Sequence, residues 1–293
     1  MNKFYGTGIA LVTPFQADGQ VDYDGLKNLV DYVIDGGVEY LVVLGTTGES
    51  VTLTSEEKKK VWALTAELNM GRVPLIAGIG GNNTAEVIEE LKQFNTDGYS
   101  AILSASPNYN KPTQEGIYQH YKAIAQNSPL PVMLYNVPGR TGSNISADTT
   151  IRLANDFKNI IGIKEASGNF EQFNQIARDK PEGFLLISGD DAVALPMMAI
   201  GGVGVISVIG NALPRQLSDM IRIALKGDFK GAQKGHYALV EFTRLMFVEG
   251  NPAGVKTALK QLGVCGDTLR LPLVQVSDYT AQQIIKETKK ITA

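Results

Sequence analysis

Eight short apolar runs, at residues 8–13, 40–44, 74–78, 101–104, 132–136, 160–164, 185–188 and 204–207, constrain this chain more than any other feature. They are rich in Val, Ile and Leu and nearly continuous, where a half-exposed strand would alternate. Strands buried on both faces read this way, as in a parallel sheet covered by helices. Helical patterns fill most of the gaps. Leu26, Leu29, Val30, Val33 and Ile34 share one face of a helix over 23–34. Thr54, Asn83, Thr113, Ser146 and Asn169 each stand at the start of a helical pattern, and Asp190 or Asp191 caps another that contains Pro196.

Strand and helix alternate with a repeat of roughly 20 to 35 residues, and eight such units use about 230 residues, the size of a closed (β/α)8 TIM barrel. The expected organisation is a barrel over 1–226 and a C-terminal helical appendage over 227–293, with helices at 229–248, 252–262 and 279–290. A doubly wound open sheet is the alternative. It wants a glycine-rich turn after the first strand, and Pro14-Phe15-Gln16 stands there instead.

Of the 293 residues, 44% are hydrophobic and 19% charged, enough to bury a substantial core. A net charge of −3 gives no electrostatic reason to bind nucleic acid or an anionic membrane. The one cysteine, Cys265, has no internal disulfide partner, which fits a reducing compartment. The apolar stretch before Pro14 is too short for a signal-peptide core or a membrane span, so a soluble, cytoplasmic protein is expected.

In a barrel, chemistry sits at the C-terminal ends of the strands. Those ends carry Gly45-Thr46-Thr47-Gly48-Glu49-Ser50, Tyr109-Asn110-Lys111-Pro112, Tyr135-Asn136, Pro138-Gly139-Arg140-Thr141-Gly142, Lys164-Glu165 and Gly189-Asp190-Asp191. No cluster has metal-ligand spacing. The two histidines, His120 and His236, read as solvated helix residues. Lys164, at the end of an apolar strand, is the sharpest feature. Burial favours the neutral amine over the ammonium, and a neutral amine can attack a ketone to form a Schiff base. Alternatively, Lys164 pairs with Glu165 or another carboxylate at the rim. Tyr135 either relays protons to a lysine adduct or is an interior aromatic. The Gly45–Gly48 loop either cradles a small carboxylate or is a locally bonded turn. Arg140 either binds a substrate carboxylate or makes a surface ion pair.

Taken together, Gly45-Thr46-Thr47-Gly48-Glu49-Ser50, Tyr109-Asn110-Lys111-Pro112-Thr113, Tyr135-Asn136-Val137-Pro138-Gly139-Arg140-Thr141-Gly142 and Gly162-Ile163-Lys164-Glu165-Ala166-Ser167-Gly168 resemble the dihydrodipicolinate (4-hydroxy-tetrahydrodipicolinate) synthases. These belong to the pyruvate-dependent class I aldolases, and the resemblance runs from about Tyr5 to the C-terminus. It implies condensation of pyruvate with L-aspartate 4-semialdehyde on the lysine and diaminopimelate route, without a cofactor. Lys164 would form the Schiff base, with Tyr135, Thr46 and Tyr109 as the proton relay, and Tyr109 reaching into a neighbouring subunit's site. Thr47 and Ile206 would contact pyruvate, Arg140 would bind the aldehyde substrate's carboxylate, and Gly189 would border the site. The implied assembly is a homotetramer of tight dimers. Ser50, Val51, Asn82, Glu86 and Asn108 occupy positions of a lysine effector pocket. Asn108 stands where a second aromatic is common, and Ser55 and Lys58 where strongly inhibited members carry histidine, so weak or absent lysine feedback is expected.

The alternative within the superfamily is N-acetylneuraminate lyase or a keto-deoxy sugar acid aldolase. Such an enzyme would keep Lys164 and Tyr135 but want sugar-hydroxyl partners in place of Arg140 and Thr141. A non-enzymatic metabolite-binding barrel would be expected to have lost part of the relay, whereas Thr46, Tyr109, Tyr135 and Lys164 are all present.

Overall fold

The structure, a computed structural model, describes residues 3–292. Eight parallel strands close into a barrel in chain order. They are β1 (Gly6–Ala10), β2 (Tyr40–Val43), β3 (Leu75–Gly78), β4 (Tyr99–Ala105), β5 (Val132–Asn136), β6 (Ile160–Glu165), β7 (Leu185–Ser188) and β8 (Gly204–Ser207). The helices are α1 (Tyr23–Asp35), α2 (Ser55–Asn69), α3 (Thr84–Gln93), α4 (Gln114–Asn127), α5 (Pro138–Thr141), α6 (Ala147–Asp156), α7 (Phe170–Asp179), α8 (Ala194–Ala199), α9 (Pro214–Leu225), α10 (Phe229–Phe247), α11 (Ala253–Gln261) and α12 (Asp278–Thr292). The expected barrel is present. An open doubly wound sheet is excluded, because β1 pairs with both β2 and β8.

The continuous apolar runs are explained by two cores. Successive side chains of a strand face opposite ways. In β2, Tyr40 and Val42 enter the lumen with Ile76, Leu103, Met133 and Ile206. Leu41 and Val43 face outward and pack under the helices. On α1 the buried stripe is Leu26, Leu29, Val30 and Val33, each worth about 1.5–3 kcal/mol on burial.

Local signals place the helix starts. Asn83, Thr113, Ser146 and Asn169 accept from backbone N–H groups of the first turns of α3, α4, α6 and α7. Thr54 forms a reciprocal capping box with Glu57 at the start of α2. Each such cap contributes about 1 kcal/mol. Asp190 caps a short 3₁₀ turn, Asp191–Val193, which leads into α8. Pro196 lies in the first turn of α8, where no intrahelical N–H bond is lost.

The C-terminal helices are joined to the barrel's outer layer by a shared core. Leu239, Phe242, Met246, Val255, Leu259 and Ile284 belong to the same apolar cluster as the residues between the strands and α1–α9. One sequence expectation is corrected here. His120 is buried, not solvated, and its Nδ1 lies 2.8 Å from Thr84 Oγ1. Burial pushes its pKa down to about 4, because the apolar surroundings disfavour the imidazolium.

Candidate active site

β5 and β6 run side by side with Tyr135 opposite Lys164 and Asn136 opposite Glu165. Strand alternation then separates the two pairs. Tyr135 and Lys164 point to the lumen side, with Lys164 Nζ 4.4 Å from the centre of the Tyr135 ring. Asn136 and Glu165 point to the opposite face of the barrel wall, where Glu165 Oε2 accepts from Gln172 of α7. The Lys164–Glu165 ion pair is therefore excluded by geometry. Lys164 is 5% exposed, and the ion pairs among the described residues do not include it.

Gly189, just beyond β7, makes room for this lysine. A Cβ there would sit 3.0 Å from both Cε and Cγ of Lys164 and 2.7 Å from Ala166 Cβ. Two of those contacts are with the lysine stem, so a side chain at 189 would displace the amine.

The loop after β2 forms the facing wall. Leu44 and Glu49 bracket it with left-handed backbone, φ 59° and 50°, a region that side chains other than glycine rarely adopt. Between them Thr46–Gly48 make one 3₁₀ turn. Thr46 is exposed towards the cavity and Thr47 is buried. Thr13 Oγ1 donates to Gly48 O at 2.6 Å. Other restraints come from the far end of the chain. Asn251 Nδ2 donates to Thr47 Oγ1 at 3.0 Å. Lys256 Nζ lies 2.6 Å from Glu49 Oε1, with both side chains almost fully buried. The Arg270 backbone N–H reaches Glu49 Oε2 at 3.2 Å.

Arg140 is exposed on α5. The Pro-Gly segment reads as a loop in sequence, but it closes one helical turn. Pro138 opens that turn and Gly142, at φ 72°, ends it, the positions these two residues favour. No ion pair among the described residues occupies Arg140. A cavity of about 1010 Å³ lies above the strand ends, and its wall includes Thr46, Thr47, Tyr135, Arg140, Lys164 and Gly189.

Other expected residues fall elsewhere. Ile206 is buried in the lumen core, while Val208 and Ile209 reach the cavity wall. Tyr109 is 84% exposed at φ 73° and does not line the cavity. Its loop touches the site's rim, with its N–H donating to Thr141 O at 3.1 Å. Of the effector positions, Glu86 borders a second cavity of about 940 Å³ between α2 and α3, together with Ser55 and Lys58. Ser50, Val51, Asn82 and Asn108 do not line it.

One whole wall of the cavity carries no signal in the sequence. His236, Leu239, Thr243, Arg244 and Phe247 of α10, with Asn251 beyond it, close the cavity's outer side. Amphipathic spacing identifies α10 as a helix, but does not say which of its faces meets the barrel mouth. In the sequence Asp191 is a possible cap at the end of an apolar run. It is buried against the turn after β8, and its Oδ2 accepts from the N–H groups of Val208 and Ile209 at 2.9 and 3.1 Å. Burial pushes its pKa up to about 6.

An unpaired amine beside a phenol, facing two threonines and a rim arginine, can form an imine with a small oxo acid and move protons around it. Comparison with known proteins agrees with this geometry. The model of the dihydrodipicolinate synthetase family matches residues 3–291. A 4-hydroxy-tetrahydrodipicolinate synthase of Flavobacterium psychrophilum is 54% identical over 292 residues, covering 100% of both chains. The crystal structure of dihydrodipicolinate synthase from Thermotoga maritima superposes with a TM-score of 0.97 at 38% identity, covering 99% of each chain. A structure described as a monomeric dihydrodipicolinate synthase variant gives 0.95 at 38% identity, covering 99% of this chain and 97% of that one. The chain belongs to the dihydrodipicolinate synthetase family.

Proposed function

We propose that this protein condenses pyruvate with L-aspartate 4-semialdehyde to give 4-hydroxy-tetrahydrodipicolinate, as a step of lysine and diaminopimelate biosynthesis. The observation that carries the reading is the buried Lys164 amine, 4.4 Å from the Tyr135 ring, on the wall of a cavity that Arg140 also lines.

Lys164 Nζ attacks the pyruvate ketone, and water leaves as the imine forms. The protonated imine acidifies the adjacent methyl group. A proton leaves through Tyr135, and the enamine carbon attacks the aldehyde, whose oxygen takes up a proton as the new C–C bond forms. The amino group of the second substrate then adds to the imine carbon. The ring closes and the Lys164 amine is expelled. Thr46 and Tyr135 form the relay, completed by Tyr109 of the partner subunit. Thr47 holds pyruvate, Gly189 leaves space for the adduct, and Arg140 takes the carboxylate of the second substrate.

The relay supports a tight dimer, because the exposed Tyr109 ring does not reach its own cavity, and the family resemblance implies that two such dimers form a homotetramer. The relative described as monomeric makes sedimentation the direct test: a tetramer is expected, and a fully active monomer would contradict the shared relay. A cytoplasmic location is supported by the low cysteine content. Among the described residues no helix is long and apolar enough to cross a membrane. Lysine inhibition is expected to be weak or absent, since Ser55, Lys58 and Asn108 replace the residues of a strong effector pocket. Sub-millimolar inhibition in a steady-state assay would contradict this.

The activity is tested by mixing the protein with pyruvate and L-aspartate 4-semialdehyde and identifying the product by mass spectrometry. A cyclic dicarboxylate is expected. Turnover only with pyruvate and a sugar aldehyde would instead assign a lyase of the same superfamily.

A further inference from the structure

Glu165 is fully buried, and no ion pair among the described residues includes it. Its surroundings consist of donors. Oε1 accepts from the Ser167 N–H at 2.7 Å and from Asn136 Nδ2 at 3.1 Å. Oε2 accepts from Asn136 Nδ2 at 2.9 Å and from Gln172 Nε2 at 2.8 Å. Burial raises its pKa, and these hydrogen bonds oppose the shift. A carboxylate can accept from all of these groups. A carboxamide would present two N–H donors where the neighbours offer only donors.

The network extends past Glu165 in one direction. Asn136 Nδ2 donates to Asn144 Oδ1 at 2.8 Å, and Asn136 Oδ1 accepts from the Ile145 N–H at 2.9 Å. Asn144 Nδ2 donates to Gln172 Oε1 at 2.8 Å. The chain therefore leaves this network at Asn136, passes through α5 with Arg140, and re-enters it at Asn144 and Ile145. Three functional groups hang from it within one peptide step or one short helix. Tyr135 precedes Asn136, Lys164 precedes Glu165, and Arg140 lies on the loop that the network closes.

We propose that Glu165, with Asn136, Gln172 and Asn144, is a positioning network that sets the Lys164–Tyr135 pair and the Arg140 segment in one rigid relation. This rests on the Schiff-base role given to Lys164 above. None of the four residues need touch substrate, since their side chains lie on the far side of the barrel wall. The network couples the two halves of the reaction: Glu165 governs how Lys164 presents its amine to pyruvate, and Asn144 governs how Arg140 meets the second substrate.

Three variants test it in the full-length protein: E165Q, E165Q/Q172E and N144A. Adduct formation is followed by borohydride trapping with pyruvate, and kcat and KM by steady-state assay. E165Q should lower kcat and the trapping rate at least about tenfold, the factor for an energy of one or two hydrogen bonds. E165Q/Q172E returns a carboxylate to the network and turns the donor–donor contact into an amide–carboxylate bond, so it should regain all but about threefold. N144A should raise the KM for the aldehyde about fivefold while leaving the trapping rate within about twofold. Unchanged kinetics in E165Q, or a loss that Q172E does not restore, would overturn the proposal. Should E165Q fail to fold, N144A decides alone, and an unchanged aldehyde KM overturns the network. Wild-type protein that traps no pyruvate on Lys164 would overturn the underlying reading itself, a result distinct from any variant effect.

Discussion

The two facing walls of the cavity are built by different physics. The wall carrying Tyr135 and Lys164 is regular sheet. Its register puts the phenol beside the amine, and no hydrogen bond among its supporting side chains spans more than 29 residues of sequence. The wall carrying Thr46 and Thr47 is an irregular turn between two left-handed residues. It is tied to partners more than 200 positions away, Asn251 and Lys256. The first wall follows from strand pairing. The second is held by hydrogen bonds from the C-terminal region, which makes Asn251, Lys256 and Arg270 part of the active-site scaffold.

Removing the reagent from the regular wall gives the largest effect. K164A should lower turnover by at least about 10⁴-fold, because no second nucleophile stands in its place, while circular dichroism and melting stay near those of the wild type. Loss of the fold along with activity would mean that Lys164 acts mainly in packing.

Removing the buried cation from the irregular wall strikes stability first. K256M removes the only ion-pair partner that the buried Glu49 has among the described residues, so unfolding in urea should become easier by about 3–5 kcal/mol. The double variant E49Q/K256M removes both charges and should recover most of that. A small loss in K256M, or no recovery in the double variant, would show that the pair does not hold the loop.

The pH response offers a control remote from both walls. His120 has its pKa lowered from 6.5 to about 4, so the unfolded chain binds the proton more tightly than the fold. Its contribution is present above pH 6.5 and is lost as pH falls towards 4, in total about 3 kcal/mol. H120N should flatten that part of the stability–pH curve without altering pyruvate trapping at neutral pH. An equally steep fall in the variant would place the titration elsewhere.

The smallest effect is expected at the link between the irregular wall and the C-terminal region. N251A removes one hydrogen bond to Thr47, worth about 1 kcal/mol and hence about fivefold in kcat/KM. Its melting temperature should change little. A wild-type rate would show that Thr47 needs no help from the C-terminal region.

How much of this could be read from the sequence follows the same division. Strands at 132–136, 185–188 and 204–207 fall where the apolar runs put them. The run at 8–13 does not. β1 spans Gly6–Ala10, because the chain leaves the ladder at the barrel mouth while its side chains remain apolar. Hydrophobicity marks burial, and burial continues after the strand pairing has stopped. Lys164 and Tyr135 were legible because each ends an apolar strand, and neighbouring strands end on the same side. The Asn251 and Lys256 contacts carry no local signal, since a lysine in a helix and an asparagine before proline are both ordinary surface residues until tertiary packing buries them. His120 shows the same limit: a polar residue on a helix reads as solvated until the neighbouring helix covers it.

Borohydride reduction of the protein in the presence of pyruvate, followed by digestion and peptide mass spectrometry, decides whether Lys164 is the reagent. The expected result is a reduced pyruvate adduct on the peptide containing Lys164, absent from K164A and discharged when L-aspartate 4-semialdehyde is added before reduction. A protein that stays unmodified, or carries its adduct on another lysine, would contradict the assignment of this buried amine as the reagent.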